Sequence, residues 1–213
     1  REYVAMELFD FTQQQLMTFG TALVVAVVLL TAVIWVVRYF RNTAQDRRIE
    51  KIIKEQSEAF AKNVVLSDGM YGYLFSDYLV LMRGKIIAMD VHHIEGYIFG
   101  GDQIDEWAQV INSKSNKFKN PLYRLRLIVQ QVKQLVNDAD IEAHVLFGKE
   151  SSFPKGVPDG VMRFESFRED LNSHNKNDYM AESMSKTWEE LMQITKEHKQ
   201  RYLQETQQAK FAR

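Results

Sequence analysis

From Phe11 to Val37 the chain carries no charged residue, and the heart of that run, Leu23 to Val37 (LVVAVVLLTAVIWVV), is almost wholly aliphatic. Wound as a helix, Leu16 to Val37 would extend roughly 33 Å at about 1.5 Å per residue, the thickness of a hydrocarbon core. Its β-branched residues do not argue against a helix. In lipid every backbone N–H and C=O must be paired within the segment, which an isolated strand cannot do. The run is too long for a cleaved signal peptide, and no small-residue cleavage pattern follows it. It also lacks the polar stripe of a helix laid on a soluble core. Trp35 and Tyr39 stand at its end, where amphipathic rings favour the membrane interface. These features predict a single transmembrane helix over 16–40.

The flanking charges predict its direction. Arg1, Glu2, Glu7 and Asp10 precede the run, and Arg38, Arg41, Arg47, Arg48, Lys51 and Lys54 follow it. The positive-inside bias puts the short segment 1–15 outside and the rest in the cytoplasm, which for a bacterial protein means the inner (plasma) membrane. The basic cluster would also be drawn to anionic headgroups, making the lipid bilayer the first expected partner. As a stop-transfer signal it needs no further role.

Of 213 residues, 27 are Lys or Arg and 28 are Asp or Glu, so net charge names no partner. The chain has no cysteine, which excludes disulfides, thiolate metal sites and a cysteine nucleophile. Because it does not begin with Met, a few further N-terminal residues are expected.

Ile49, Ile52, Ile53 and Phe60 recur at helical spacing and predict a juxtamembrane helix over 41–62, separated from the span by a break at Asn42-Thr43. Then come a short strand at Asn63–Leu66, a Gly-rich turn at 68–72, and strands at Phe75–Met82, Lys85–Val91 and Gly96–Phe99. A polar, basic loop over Asn112–Asn120 leads to a helix opened by Pro121 and running to about Val136. Strands follow at Ile141–Phe147 and Val161–Phe164, and a long helix runs from Tyr179 to about Lys210. The order αβββαβ predicts a mixed-sheet α/β domain over 63–172, with the C-terminal helix in 173–213.

The densest polar constellation lies on the two central strands. Asp90 and His92 are two residues apart and share a face, and pairing across Arg83-Gly84 brings Asp77 beside Asp90. Neighbouring carboxylates can hold a hard divalent cation, which can activate water against a phosphodiester. A plainer reading makes Asp77 a local strand-end cap and His92-His93 a pair straddling a strand. His144, His174 and His198 show no ligand spacing, and there is no P-loop, Rossmann fingerprint or Ser-His-Asp order.

At these residues the chain resembles the nuclease-related domain (NERD), similar in fold to the PD-(D/E)xK nucleases. The stretch from Ser76 to Val136 reads SDYLVLMRGKIIAMDVHHIEGYIFG, then Trp107, then KFKNPLYRLR. The family has an acidic strand residue, a glycine before a hydrophobic run ending Glu-Val-Lys-Asn, an aromatic and glycine-spaced strand, a Trp, a basic loop and Asn-Pro-x-x-Gln. The resemblance implies site positions at Asp77, Asp90, His92 and Arg124, with Asp77 and Asp90 as ligands to any Mg²⁺ or Mn²⁺. Asp90 shortens the family's Glu by one methylene. His92 replaces a permanently cationic Lys with a group mostly neutral near pH 7. Arg124 replaces Gln with a guanidinium that would pair with the carboxylates and compete with a metal.

These replacements predict a degenerate site without turnover. Lys114, Lys117, Lys119 and Arg126, interleaved with Phe118 and Tyr123, suggest a grip on nucleic acid, or equally a solvated loop facing acidic lipid or protein. The expectation is an anchored binding or assembly module, contacting nucleic acid, a membrane protein partner or its own copies. The rivals are an active metal-dependent nuclease and a purely structural single-pass subunit.

Overall fold

The structure of the chain is a computed structural model that describes residues 2–136, 140–175 and 182–211, with side chains described from Thr21 to Lys210. The chain divides into two compact units, residues 1–47 and 48–213. The first helix, α1 (Glu2–Gln56), is unbroken. Its segment from Thr21 onward is long and apolar enough to cross a membrane, with Leu23 through Val37 exposing large hydrophobic side chains.

Two expectations about this region are corrected. Asn42-Thr43 does not interrupt α1, because the Thr43 hydroxyl donates to the Tyr39 carbonyl one turn back and is satisfied inside the helix. The helix also ends at Gln56 rather than residue 62, and Phe60 belongs to the following strand. From that strand Phe60 packs on the cluster containing Ile49 and Ile53, so helical spacing and the strand reach the same core.

The second unit is built on a five-stranded sheet, in the order β1 (Ala59–Ser67), β2 (Tyr73–Leu81), β3 (Ile86–His92), β7 (Ile141–Phe147), β9 (Val161–Arg163). β1, β2 and β3 are antiparallel neighbours, while β3, β7 and β9 run parallel. β2 and β3 read as nearly continuous apolar runs because both faces of the sheet are covered. One face carries Leu79, Leu81, Ile86 and Ala88 against α2 (Pro121–Leu135) and α4 (Glu182–Phe211). The other carries Tyr78, Val80, Ile87 and Met89 against Ile49 and Ile53 of α1 and Phe167 and Leu171 of α3 (Phe167–Ser173). A buried side chain of this size contributes about 1.5–3 kcal/mol relative to exposure. α3 was not among the expected elements, and it buries Phe167 and Leu171.

A second, four-stranded sheet has the order β6 (Lys114–Lys119), β5 (Glu106–Ile111), β4 (Gly96–Phe99), β8 (Ser151–Ser152). The expected basic loop over 112–120 is therefore mostly strand. β5 and β6 form a hairpin closed by Asn112 and Ser113, both at positive φ (47° and 65°), with Ile111 opposite Lys114. Two successive positive-φ residues make the turn twist with its strands.

α4 lies along β1, where Trp188 and Leu191 join the core and Tyr202 meets Tyr73 and Phe75 edge-on. Its expected start at Tyr179 lies outside the described residues.

Candidate functional site

β2 and β3 part where the acidic residues stand. The last ladder pair is Tyr78 with Met89. One step further the two aspartates face each other, and their carboxylates replace the ladder. The Asp77 N–H donates to Asp90 Oδ1 at 2.9 Å, and the Val91 N–H donates to Asp77 Oδ2 at 2.8 Å. The Ser76 hydroxyl lies 3.0 Å from the Tyr78 carbonyl and 3.2 Å from that of Met89. Buried backbone donors need partners, so each aspartate holds the opening fork of the two strands.

α2 delivers the third member. Asn120, buried, accepts from the Leu122 N–H at 2.9 Å and caps the helix, with Pro121 at its first position. The Asn120 side-chain amide donates to the carbonyls of Gly101, Asp102 and Ile104 at 3.3, 3.1 and 2.9 Å. Gly100 belongs to the same loop and lies against Trp107, where an added Cβ would come within 2.2 Å of the indole. This packing sets the start of α2, and Arg124 follows in its first turn. Arg124 Nε donates to Asp90 Oδ2 at 3.1 Å, and Nη2 binds the same oxygen. Asp90 is fully buried, whereas the Arg124 side chain is 51% exposed. A buried carboxylate without a partner would be costly, and the guanidinium supplies one.

Burial pushes the Asp77 carboxyl above the usual carboxylate range. The Val91 N–H opposes this, the neighbouring Asp90 reinforces it, and Arg124 opposes it. Burial also pushes His92 below its ordinary value, so the ring is neutral near pH 7, stacked on Phe147 at 5.6 Å between centroids. The face that the resemblance would furnish with a Lys thus carries an uncharged imidazole.

His92, Tyr123, Arg124 and Lys119 line a cleft of about 650 Å³ together with acidic Asp105 and Glu106, and Glu106 is the cross-strand partner of Lys119. Of the basic residues singled out from sequence, Lys119 and Arg124 reach this cleft. Lys117 pairs with Glu106 at 3.1 Å, and Arg126 Nη2 donates to the Asp102 carbonyl at 2.6 Å. Lys114 sits at the hairpin end of edge strand β6. The sequence pattern carries no sign of the acidic lining or of the anchoring by Asn120, because both arise where the loop before β5 meets the start of α2.

The donor set is a poor fit for Mg²⁺ or Mn²⁺. Asp90 Oδ2 already carries a guanidinium, Asp90 Oδ1 and Asp77 Oδ2 hold backbone N–H groups, and a neutral imidazole completes the cluster.

No curated protein and no solved structure matches the chain. The family model described as nuclease-related domain matches residues 41–148, just over half of the 213. That match covers the paired aspartates on β2 and β3, the Trp107 strand and the Asn120-Pro121 start of α2, and by it the chain belongs to the nuclease-related domain (NERD) family.

Proposed function

We propose that this protein is a membrane-anchored, non-cleaving nuclease-fold domain that binds nucleic acid on the cytoplasmic side. The observation that carries this reading is the bond between Arg124 and the buried Asp90. A guanidinium fixed on that carboxylate repels a divalent cation and offers its exposed edge to a phosphate. Exposed Tyr123 supplies an aromatic face beside it, and Lys119 a second cation. Anchoring rests on the apolar segment of α1 and orientation on the basic residues after it.

The test uses the full chain in detergent or nanodiscs. Labelled single-stranded DNA and RNA are incubated with Mg²⁺ or Mn²⁺ and then titrated for binding by fluorescence anisotropy. We expect intact substrate, together with binding that weakens as salt rises and weakens further with Lys119→Glu. Cleavage that disappears in Asp90→Asn would overturn the non-cleaving reading. Absence of binding at low salt would overturn the nucleic-acid reading in favour of assembly with a membrane partner.

A further inference from the structure

The face of the main sheet turned away from Asp77 and Asp90 gathers a second set of donor groups. β7 places Glu142 and His144 there, in register with Ile87 and Met89 of β3, both in the core beneath α3. α3 ends on His174, whose ring meets that of His144 edge-on at 5.0 Å between centroids. Glu142 divides its two oxygens. Oε1 accepts from Lys85 Nζ at 2.5 Å, while Oε2 lies 3.4 Å from His144 Nε2 and 3.5 Å from His174 Nδ1. The three ligand atoms lie within 4.8 Å of one another.

These spacings say more than the residue types. Glu142 Oε2 is shared between the two imidazoles at 3.4 and 3.5 Å, at the long end for an N–H···O contact, whose usual range is about 2.7–3.2 Å. Ligands about 2.0–2.1 Å from a tetrahedral zinc ion stand roughly 3.3 Å from each other, close to both observed values. The third separation, between the two imidazole nitrogens, is at most 4.8 Å. Two imidazoles and one carboxylate oxygen are a donor set that zinc favours over the hard cations. The Lys85 ammonium on the other carboxylate oxygen holds Glu142 in orientation, as outer partners of metal ligands commonly do. A cavity of about 510 Å³, lined by His144, His174, Ser166, Asp170 and Ser173, opens at the same place.

We propose that Glu142, His144 and His174 form a zinc site of the two-histidine, one-carboxylate type, separate from the paired aspartates and with its fourth position open to this cavity. Zinc there ties the end of α3 to β7.

The experiment uses the full chain in detergent, without a polyhistidine tag, stripped with chelator and titrated with Zn²⁺ against a chromophoric competitor. Co²⁺ in a parallel titration reports tetrahedral geometry through its visible absorption. We expect one zinc per chain and a higher Tm with zinc. His144→Gln and His174→Gln should each weaken binding by about tenfold or more, since even losing an outer partner of a ligand costs that much. Asp77→Asn, on the other face, should leave zinc affinity unchanged. The proposal is overturned if the wild-type chain takes up no stoichiometric zinc, or if the double variant His144→Gln/His174→Gln binds it as tightly. Circular dichroism of the metal-free variants separates loss of a ligand from loss of the fold. Should either histidine variant fail that check, Glu142→Gln replaces it, with the same expected loss.

Discussion

Asp90 sits at the strand fork with both oxygens engaged, fully buried and tied to the half-exposed Arg124. Replacing Arg124 with Met strands that carboxylate. The expected loss is about 2 kcal/mol or more, below the 3–5 kcal/mol of a wholly buried pair because Arg124 already faces water. Urea unfolding of Arg124→Met measures it, and adding Asp90→Asn should restore part of the loss by removing the orphaned charge. His92 gives a pH signature. Burial lowers its folded pKa below the ordinary 6.5, so its contribution is present above about pH 6.5 and lost as pH falls through the lower folded value. The Tm of the wild-type chain should therefore drop on going from pH 7 to pH 5 more than that of His92→Gln. Asp77 acts in the opposite sense. Its raised carboxyl contributes below about pH 3.8 and loses that contribution as pH rises through the folded value, so Asp77→Asn should gain relative stability toward neutrality.

The β5–β6 hairpin shows how far local pattern reaches at the scale of an element. Its turn is Asn112-Ser113 rather than Asn-Gly, and β6 reads KSNKFK, polar at most positions. Neither feature announces a hairpin. Phe118 supplies the missing drive by packing against the buried Trp107 at 6.1 Å. Ser113 at φ 65° carries the left-handed penalty of about 1–2 kcal/mol that glycine escapes. Ser113→Gly should therefore stabilise the domain by up to about 1 kcal/mol, net of glycine's greater unfolded entropy, as read by thermal melting. The same reasoning explains why β2, β3, β4 and β7 were legible within a residue or two. Their apolar runs are bounded by Gly, Asp or Arg-Gly, and those of β2, β3 and β7 are buried in the main sheet while β4 buries Ile98.

For the whole molecule, the reading of an anchored domain with a cytoplasmic site makes a topological prediction. These 213 residues include no cysteine, and Tyr71 is fully exposed in the turn between β1 and β2. In Tyr71→Cys, a membrane-impermeant maleimide should label closed, right-side-out cells only after permeabilisation. Labelling of intact cells would reverse the proposed orientation.

The apolar run of α1, the central strands, α2 and the resemblance carried by Asp77, Asp90, Trp107 and Asn120-Pro121 were all readable beforehand, because each depends on periodicity or spacing along the chain. Asp77 and Asp90 could be placed side by side from strand alternation and one tight turn. The pairing of Arg124 with these carboxylates also followed from its place in the resemblance, and Asp90 accepts it. The tertiary structure alone decided which backbone N–H groups the aspartates bind, and that Lys119 shares the Arg124 cleft with acidic Asp105 and Glu106. It alone brought His174 to within reach of Glu142 and His144 on the far side of the sheet. Such groupings depend on how separate elements dock, and docking is set by the shared burial of apolar faces rather than by any local signal at the polar residues themselves.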